Sequence, residues 1–437
     1  MELVNAPLGK LFGKYLSASL GSAVIMTIYA FVDAIAVGQS EGPDGAAVMA
    51  VLTPVFGLFI FVALMFGIGG SVLMSKARGE NDGGEANAWY SASMVLMAIV
   101  AVAIWALLLV FCRPFLILFG ATEELFPLLM RYAWWLIGFS PLIIASVFLA
   151  CFVRNDGAPG LAMRAVLIGG GFNILGDWFL VFPLGLGITG AALATIGSNL
   201  IQTVILCTHF FSKRCNMRFV KPMGILPRCK AICSVGFGAG MLDLANVILF
   251  CLVNNQIIRY GGVTYLAVFG AAETMSTLFQ SLFSGVGQAL QPIASTNFGA
   301  KESGRVRTVL KYGLVTGTVM GLICTLFGMG CPQLVVRIFM DVTPEVLAIA
   351  PGVIRPFSTI FLFMSFNVTA TYYLQSVLCA RQATVISLLR GIAVSGVLIL
   401  LLPLLFGLGG IWYAMPLAEL IVCVISAATL CSSSRTL

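Results

Sequence analysis

The chain has 437 residues, 60% of them apolar and 9% charged, with 24 Lys and Arg against 17 Asp and Glu and a net charge of +7. A mean hydropathy of +1.04 excludes a soluble globular chain. The backbone must be satisfied inside a bilayer, and apolar runs of about 20 residues exclude barrel strands, which need only about 9 to 11, so helices remain.

In chain order the apolar stretches fall at 15–38, 46–74, 89–112, 126–153, 161–183, 187–212, 231–258, 263–296, 308–331, 346–374, 384–403 and 408–431. The first follows Lys10 and Lys14 and exceeds the roughly 7 to 15 residues of a cleavable signal core, so it reads as a span. Pro54, Pro141, Pro292, Pro356 and Pro416 lie inside spans and predict kinks. The Gly169-Gly170-Gly171 run lies within a span and predicts close helix packing rather than phosphate binding. The expected fold is an all-α polytopic membrane protein of twelve transmembrane helices.

With the N-terminus placed in the cytoplasm, 19 basic residues fall on the inner side and only Arg113, Arg259 and Arg337 on the outer, with Arg131 and Arg355 near span ends. The positive-inside rule therefore predicts both termini in the cytoplasm of a multi-pass protein of the cell (inner or plasma) membrane. The densest basic stretch, 213–230, holds six Lys and Arg and no acid. It reads as a linker between an N-terminal six-helix lobe, 1–212, and a C-terminal one, 231–437. Its charge serves as a topology anchor, with anionic-lipid regulation as the sharper alternative.

An internal repeat at an offset of 220 supports this division. Residues 183–194 align without gaps on 403–414 with five of twelve identical, and the same offset pairs Gly67 with Gly287, Ser75 with Ser295, Gly79 with Gly299 and Phe119 with Phe339. Six spans per half give both halves one orientation, a parallel repeat related by an axis along the membrane normal, with alternating access as the expected mode of action.

Carboxylates inside spans are costly, about 2.5 to 3.5 kcal/mol each on insertion scales, and mark functional sites. Asp33, Asp177, Asp243, Glu273 and Glu419 are such residues. Asn173 and Asp177 are four apart and share a helix face, and Thr195 follows the turn at 186–190 and can face them from the next helix. With Asp33 they offer oxygen ligands and two titratable groups, suited to Na⁺ or to a proton relay. A buried hydrogen-bond knot that only ties helices together is the alternative. Asp243, Glu273, Tyr132 and Trp178 are candidate substrate or coupling residues, an acid or aromatic face being what an organic cation needs. The 12 cysteines include no C-x-x-C pair, although Cys229 and Cys233 are one helical turn apart, and His209 is the lone histidine. Neither a disulfide framework nor a zinc site is expected, and no metal site beyond Na⁺ at Asp33, Asn173, Asp177 and Thr195.

The run Phe152-Val153-Arg154-Asn155-Asp156-Gly157-Ala158-Pro159-Gly160, then Asn173-Ile174-Leu175-Gly176-Asp177, then Gly187-Ile188-Thr189-Gly190-Ala191-Ala192-Leu193-Ala194-Thr195, resembles the multidrug and toxic compound extrusion (MATE) family. Val32-Asp33 with Val37-Gly38, Ser75 to Asn81, Gln291-Pro292 and Asn297-Phe298-Gly299-Ala300 extend the likeness over essentially the whole chain, towards the bacterial branch with staphylococcal-type multidrug pumps. The resemblance implies an antiporter coupled to Na⁺ or H⁺, exporting lipophilic, cationic drugs or toxic compounds, with an N-lobe cation site at Asp33, Asn173, Asp177 and Thr195. It implies no cofactor besides the coupling ion, and a lipid bilayer and small organic cations as partners; function as a monomer is expected because a complete two-lobe repeat needs no partner to close a pathway. Glu273 matches no motif of the family.

A flippase for lipid-linked precursors or a metabolite exporter of the same superfamily is the alternative, disfavoured because the basic residues gather at one side of the membrane. An enzyme is not expected: the chain has no H-E-x-x-H, no G-x-S-x-G and no P-loop. No nucleic-acid partner is expected, since the positive charge is spent on topology.

Overall fold

The computed structural model describes residues 2–119, 121–221, 224–339 and 343–436, leaving out the side chains of residues 2, 43, 46, 242–244, 246–248, 251, 263 and 433–436. It is all-helical. In chain order the long helices are α1 (Leu8–Gly42), α2 (Ala47–Gly79), α3 (Gly83–Val110), α4 (Phe126–Gly138 with Ser140–Asn155), α5 (Pro159–Val181) and α6 (Ile188–Phe211). The second series is α7 (Ile225–Tyr260), α8 (Val263–Gly299), α9 (Ser303–Gly330), α10 (Pro344–Ser376), α11 (Ala380–Phe406) and α12 (Leu408–Ser432). Among the described residues nine of these are long and apolar enough to cross a membrane, and ten with the bent α4 counted as one. The remaining two, α7 and α8, are 36 and 37 residues long.

Composition explains which faces are buried. Along α3, Ile99, Val102, Leu107 and Val110 are 53% to 73% exposed, a pattern untenable in water and natural where lipid is the solvent. Inward faces carry small residues. Gly169 and Gly170 of the predicted close-packing run leave no room for a Cβ beside Gln202 and Tyr29, whereas Gly171 faces open space, so α5 lies tight against both α6 and α1.

Of the expected kinks, α4 bends by 51° at the break before Ser140 and Pro141, where proline removes an intrahelical donor. Between α1 and α2 the chain reverses at Gly42, whose φ of 65° and ψ of −146° suit glycine. Glu41 then reaches across to accept a 3.0 Å hydrogen bond from the Ile188 amide at the start of α6, an anion at the positive end of a helix. Positive φ recurs along the chain at the offset read from the sequence: Gly42 and Gly262, Asn81 and Lys301, Gly187 and Gly407 are each 220 apart, and Gly157 and Leu378 are 221 apart.

The buried apolar residues form three clusters, one centred on the first series and reaching Ile232, Val235 and Ala239 of α7, and two centred on the second. α1 belongs to both series. Its beginning, Leu11, Phe12 and Tyr15, packs with Val286, Ala289, Leu290 and Ile293 of α8, and Thr27 donates a 2.9 Å hydrogen bond to Ser281 on α8. Farther along, Phe31 lies 6.3 Å, ring to ring, from Phe339.

The segment between α6 and α7 is strapped down rather than loose. The amides of Arg218 and Val220 donate to Asn87 and Ser91 on α3, each at 2.9 Å. Arg228 and Lys230, read from the sequence as linker, stand in the first turns of α7. Arg228 forms a bidentate 2.8 Å pair with Glu85 and covers the Trp89 ring. Arg390, counted in the sequence among inner basic residues, is instead buried: α11 begins at Ala380 and carries it into the helix packing.

Candidate functional site

Asp33 reaches the site because α1 runs past α4, α5 and α6 before turning at Gly42. It is 7% exposed, and Asn173 and Asp177 are fully buried. Thr195 on α6 donates to Asp33 Oδ1 at 3.5 Å, the Tyr132 hydroxyl of α4 donates to Asp33 Oδ2 at 3.5 Å, and Asn173 donates to Thr195 at 3.4 Å. These contacts are long for hydrogen bonds. Asp177 begins a π-helical turn, Asp177–Val181, at the end of α5, and such turns frequently occur at functional sites. Its carboxylate lies within electrostatic reach of Asp33.

Three acceptor atoms in this cluster have no donor: both carboxylate oxygens of Asp177 and Oδ1 of Asn173 are buried without a hydrogen-bond partner. A buried acceptor left unmet costs about 1 to 3 kcal/mol, more when charged. Unmet oxygens beside a second carboxylate are groups that a hard cation or a proton would satisfy. The sequence brought Asp33, Asn173, Asp177 and Thr195 together, and the structure adds Tyr132 to them as a donor to Asp33. Trp178 is 62% exposed and turned away. The side chain of Asp243 lies outside the described residues.

A second polar centre occupies the later series. Glu419 of α12 is ion-paired with Arg390, which sits in the π-helical turn Leu389–Ala393 of α11. Asn367 of α10 donates to the Glu419 carboxylate at 2.6 Å and to its backbone carbonyl at 2.9 Å. This pair borders a cavity of about 220 Å³ into which Glu273, Ser276, Thr277 and Gln280 of α8 also project. Glu273 additionally lines a more open cavity of about 400 Å³ with Phe31, Phe250 and Phe339, and its Oε2 is buried without a partner. The Arg390–Glu419–Asn367 association was missed from sequence. The signal present was a basic and an acidic residue in neighbouring spans, each needing a partner.

Buried oxygens left unmet among long apolar helices are the polar centre that a membrane transporter needs. The MatE family model matches residues 18–179 and 241–400, and the chain belongs to that family. It is 23% identical over 409 residues to the multidrug export protein MepA of Staphylococcus saprophyticus, covering 93% of this chain and 89% of that protein. To MepA of Staphylococcus haemolyticus it is 23% identical over 417 residues, 94% and 91% of the two chains. The fold matches an outward-facing multidrug resistance MATE family transporter of the MOP superfamily with a TM-score of 0.92 at 20% identity, over 100% of this chain and 98% of the other. It equally matches a MOP superfamily transporter from Pyrococcus furiosus, described as having a binding pocket of reverse polarity, with a TM-score of 0.92 at 20% identity over 99% and 97%.

Proposed function

We propose that this MatE protein is an antiporter that exports lipophilic organic cations, drugs or toxic compounds among them, against an inward flow of Na⁺ or H⁺. The observation that carries the reading is the set of unmet buried oxygens of Asp177 and Asn173 beside Asp33. A bound Na⁺ or proton meets them, and its departure leaves two carboxylates that repel each other in a low-dielectric setting. The likeness to MepA multidrug exporters supports the direction and the cargo class.

All twelve helices cross the membrane in this reading, as two six-helix bundles of one orientation, with both termini and the 213–230 segment in the cytoplasm and one chain sufficient for transport. The recurrence of positive φ at an offset of 220 supports the repeat. α1 supplies the coupling between bundles. It carries Asp33 in one and is bonded to the other through Thr27–Ser281 and Phe31–Phe339. Neutralising Asp33 alters the packing of α1, and the second bundle responds. Ion and substrate are then bound in different states, which is reciprocal coupling through a two-state element.

The test is efflux of a fluorescent organic cation from proteoliposomes under an imposed Na⁺ gradient and then an H⁺ gradient, comparing wild type with Asp177→Asn. Export driven by one gradient and abolished by the substitution supports antiport and identifies the ion. Correctly inserted protein that exports with neither gradient, or an Asp177→Asn variant matching wild type, overturns it.

A further inference from the structure

At the end of the first bundle where basic residues gather, one carboxylate joins three stretches of chain that are remote in sequence. Asp156, just after α4, has a fully buried side chain and is ion-paired through Oδ1 with Arg78 at the end of α2. Its Oδ2 lies 2.6 Å from His209 Nε2 and accepts a 3.1 Å hydrogen bond from the Asn216 amide. His209 sits in the 3₁₀ turn Thr208–Phe211 that ends α6 and is 2% exposed. Cys215 follows on the connecting segment, and its thiol donates to the Met217 carbonyl at 3.6 Å. Asp156 Oδ2, His209 Nε2 and Cys215 Sγ all lie within 4.8 Å of one another.

We propose that Asp156, His209 and Cys215 form a three-ligand site for a divalent d-block cation of the Zn²⁺ class, which fastens the segment between the bundles to the first bundle. The donor set selects the class. A thiolate and an imidazole together favour borderline metals over Mg²⁺, Ca²⁺ or Na⁺, and one carboxylate completes a common tetrahedral set with a fourth position open to water. Since Zn–N, Zn–O and Zn–S bonds are about 2.0 to 2.3 Å, ligand pairs of a tetrahedral site stand about 3.3 to 3.7 Å apart, so a pair as wide as 4.8 Å closes by about 1 Å and the 2.6 Å His209–Asp156 pair opens. Arg78 holds Asp156 by its other oxygen, the kind of outer contact that fixes a ligand carboxylate. Loading displaces the His209–Asp156 hydrogen bond and releases the Cys215 thiol proton, so the site gains a single net positive charge.

The sequence argued against such a site because His209 stands far from any cysteine pair. The fold supplies what spacing could not: Asp156 is 53 residues away in the chain and in contact in space. A metal here ties Cys215, on the strapped segment, to helix ends of the first bundle, and so acts on how that bundle is joined to the second. The site does not depend on the transport reading, and its test is read without transport.

The probe is Co²⁺ added to the purified, metal-stripped full chain in detergent, followed by Zn²⁺. One equivalent of Co²⁺ should produce a thiolate-to-metal absorption band in the near ultraviolet and the intense visible bands of low coordination, both erased by Zn²⁺. Cys215→Ser, a change at a partly exposed residue, should abolish the near-ultraviolet band in protein that still elutes as a monodisperse peak. His209→Gln should weaken binding by about tenfold or more, and Cys229→Ser/Cys233→Ser should leave both features intact. Zn²⁺ should also slow tryptic cleavage at the exposed Lys213, Arg214 and Arg218 in wild type and not in Cys215→Ser. Absence of the band, its survival in Cys215→Ser, or its loss with the Cys229 and Cys233 thiols overturns the proposal.

Discussion

Gly79 and Gly299, 220 positions apart in the chain, pack backbone to backbone where α2 meets α8. A Cβ on Gly79 would stand 3.0 Å from the Gly299 carbonyl carbon and collide with the Thr296 carbonyl oxygen, and a Cβ on Gly299 would collide with the carbonyl oxygen of Lys76. Backbone faces backbone here, so no side chain can swing aside.

Gly299→Ala should therefore wedge the bundles apart at this end. Overpacking of this kind costs about 1 to 3 kcal/mol, and the expected result is a lower thermal unfolding midpoint in detergent, with Gly79→Ala giving a similar drop. Equal midpoints for wild type and both variants would contradict the contact.

Arg390 and Glu419 make a sharper thermodynamic prediction. Arg390→Ala should destabilise the protein by about 3 to 5 kcal/mol, because Glu419 is left buried beside Asn367 with its charge uncompensated. The double variant Arg390→Met/Glu419→Leu should recover most of that loss. A double variant as unstable as the single one would show that the pair's charge is not what matters.

Tyr132→Phe removes one donor from Asp33 without changing the ring's packing. A single hydrogen bond is worth about 0.5 to 1.5 kcal/mol, so the ion concentration giving half-maximal export should shift by about two- to tenfold with the maximal rate little changed. Complete loss of export in inserted protein would assign Tyr132 a larger role than donation to Asp33.

Glu273→Gln keeps the shape of its two cavities and removes the charge. If organic cations dwell there, their apparent affinity should fall by about tenfold, the value of a charge-assisted contact, while a neutral substrate of similar shape is unaffected. The comparison requires transport kinetics with both compounds, and equal effects on the two would remove Glu273 from cation recognition.

Much of this was legible from residue order, for local reasons. Asn173 and Asp177 share a face because four residues make one helical turn, and the short connection at 186–190 forces Thr195 back beside them. Asp33 joined them through its intramembrane charge. What stayed hidden depended on pairing between remote segments. The sequence showed Tyr132 as an aromatic ring and not as a donor to Asp33. Arg390 and Glu419 stand in neighbouring spans as separate charges, with no local spacing to pair them. The cluster of Asp156, His209 and Cys215 depends on where a loop, a helix end and a linker finish in space, which no periodicity encodes.

The π turn at Asp177–Val181 gives α5 a surplus residue immediately beside the buried carboxylates. A bulge of this kind can migrate along a helix by exchanging one carbonyl partner for the next, with no net loss of backbone hydrogen bonds. Each residue it passes rotates by about 100°, the angular step of an α-helix. Migration by a single position towards Asn173 would turn the Asp177 carboxylate away from Asp33 while leaving both ends of α5 where they are. The helix thus contains a screw whose thread can slip by one residue, a way to present and withdraw a charge without moving a bundle.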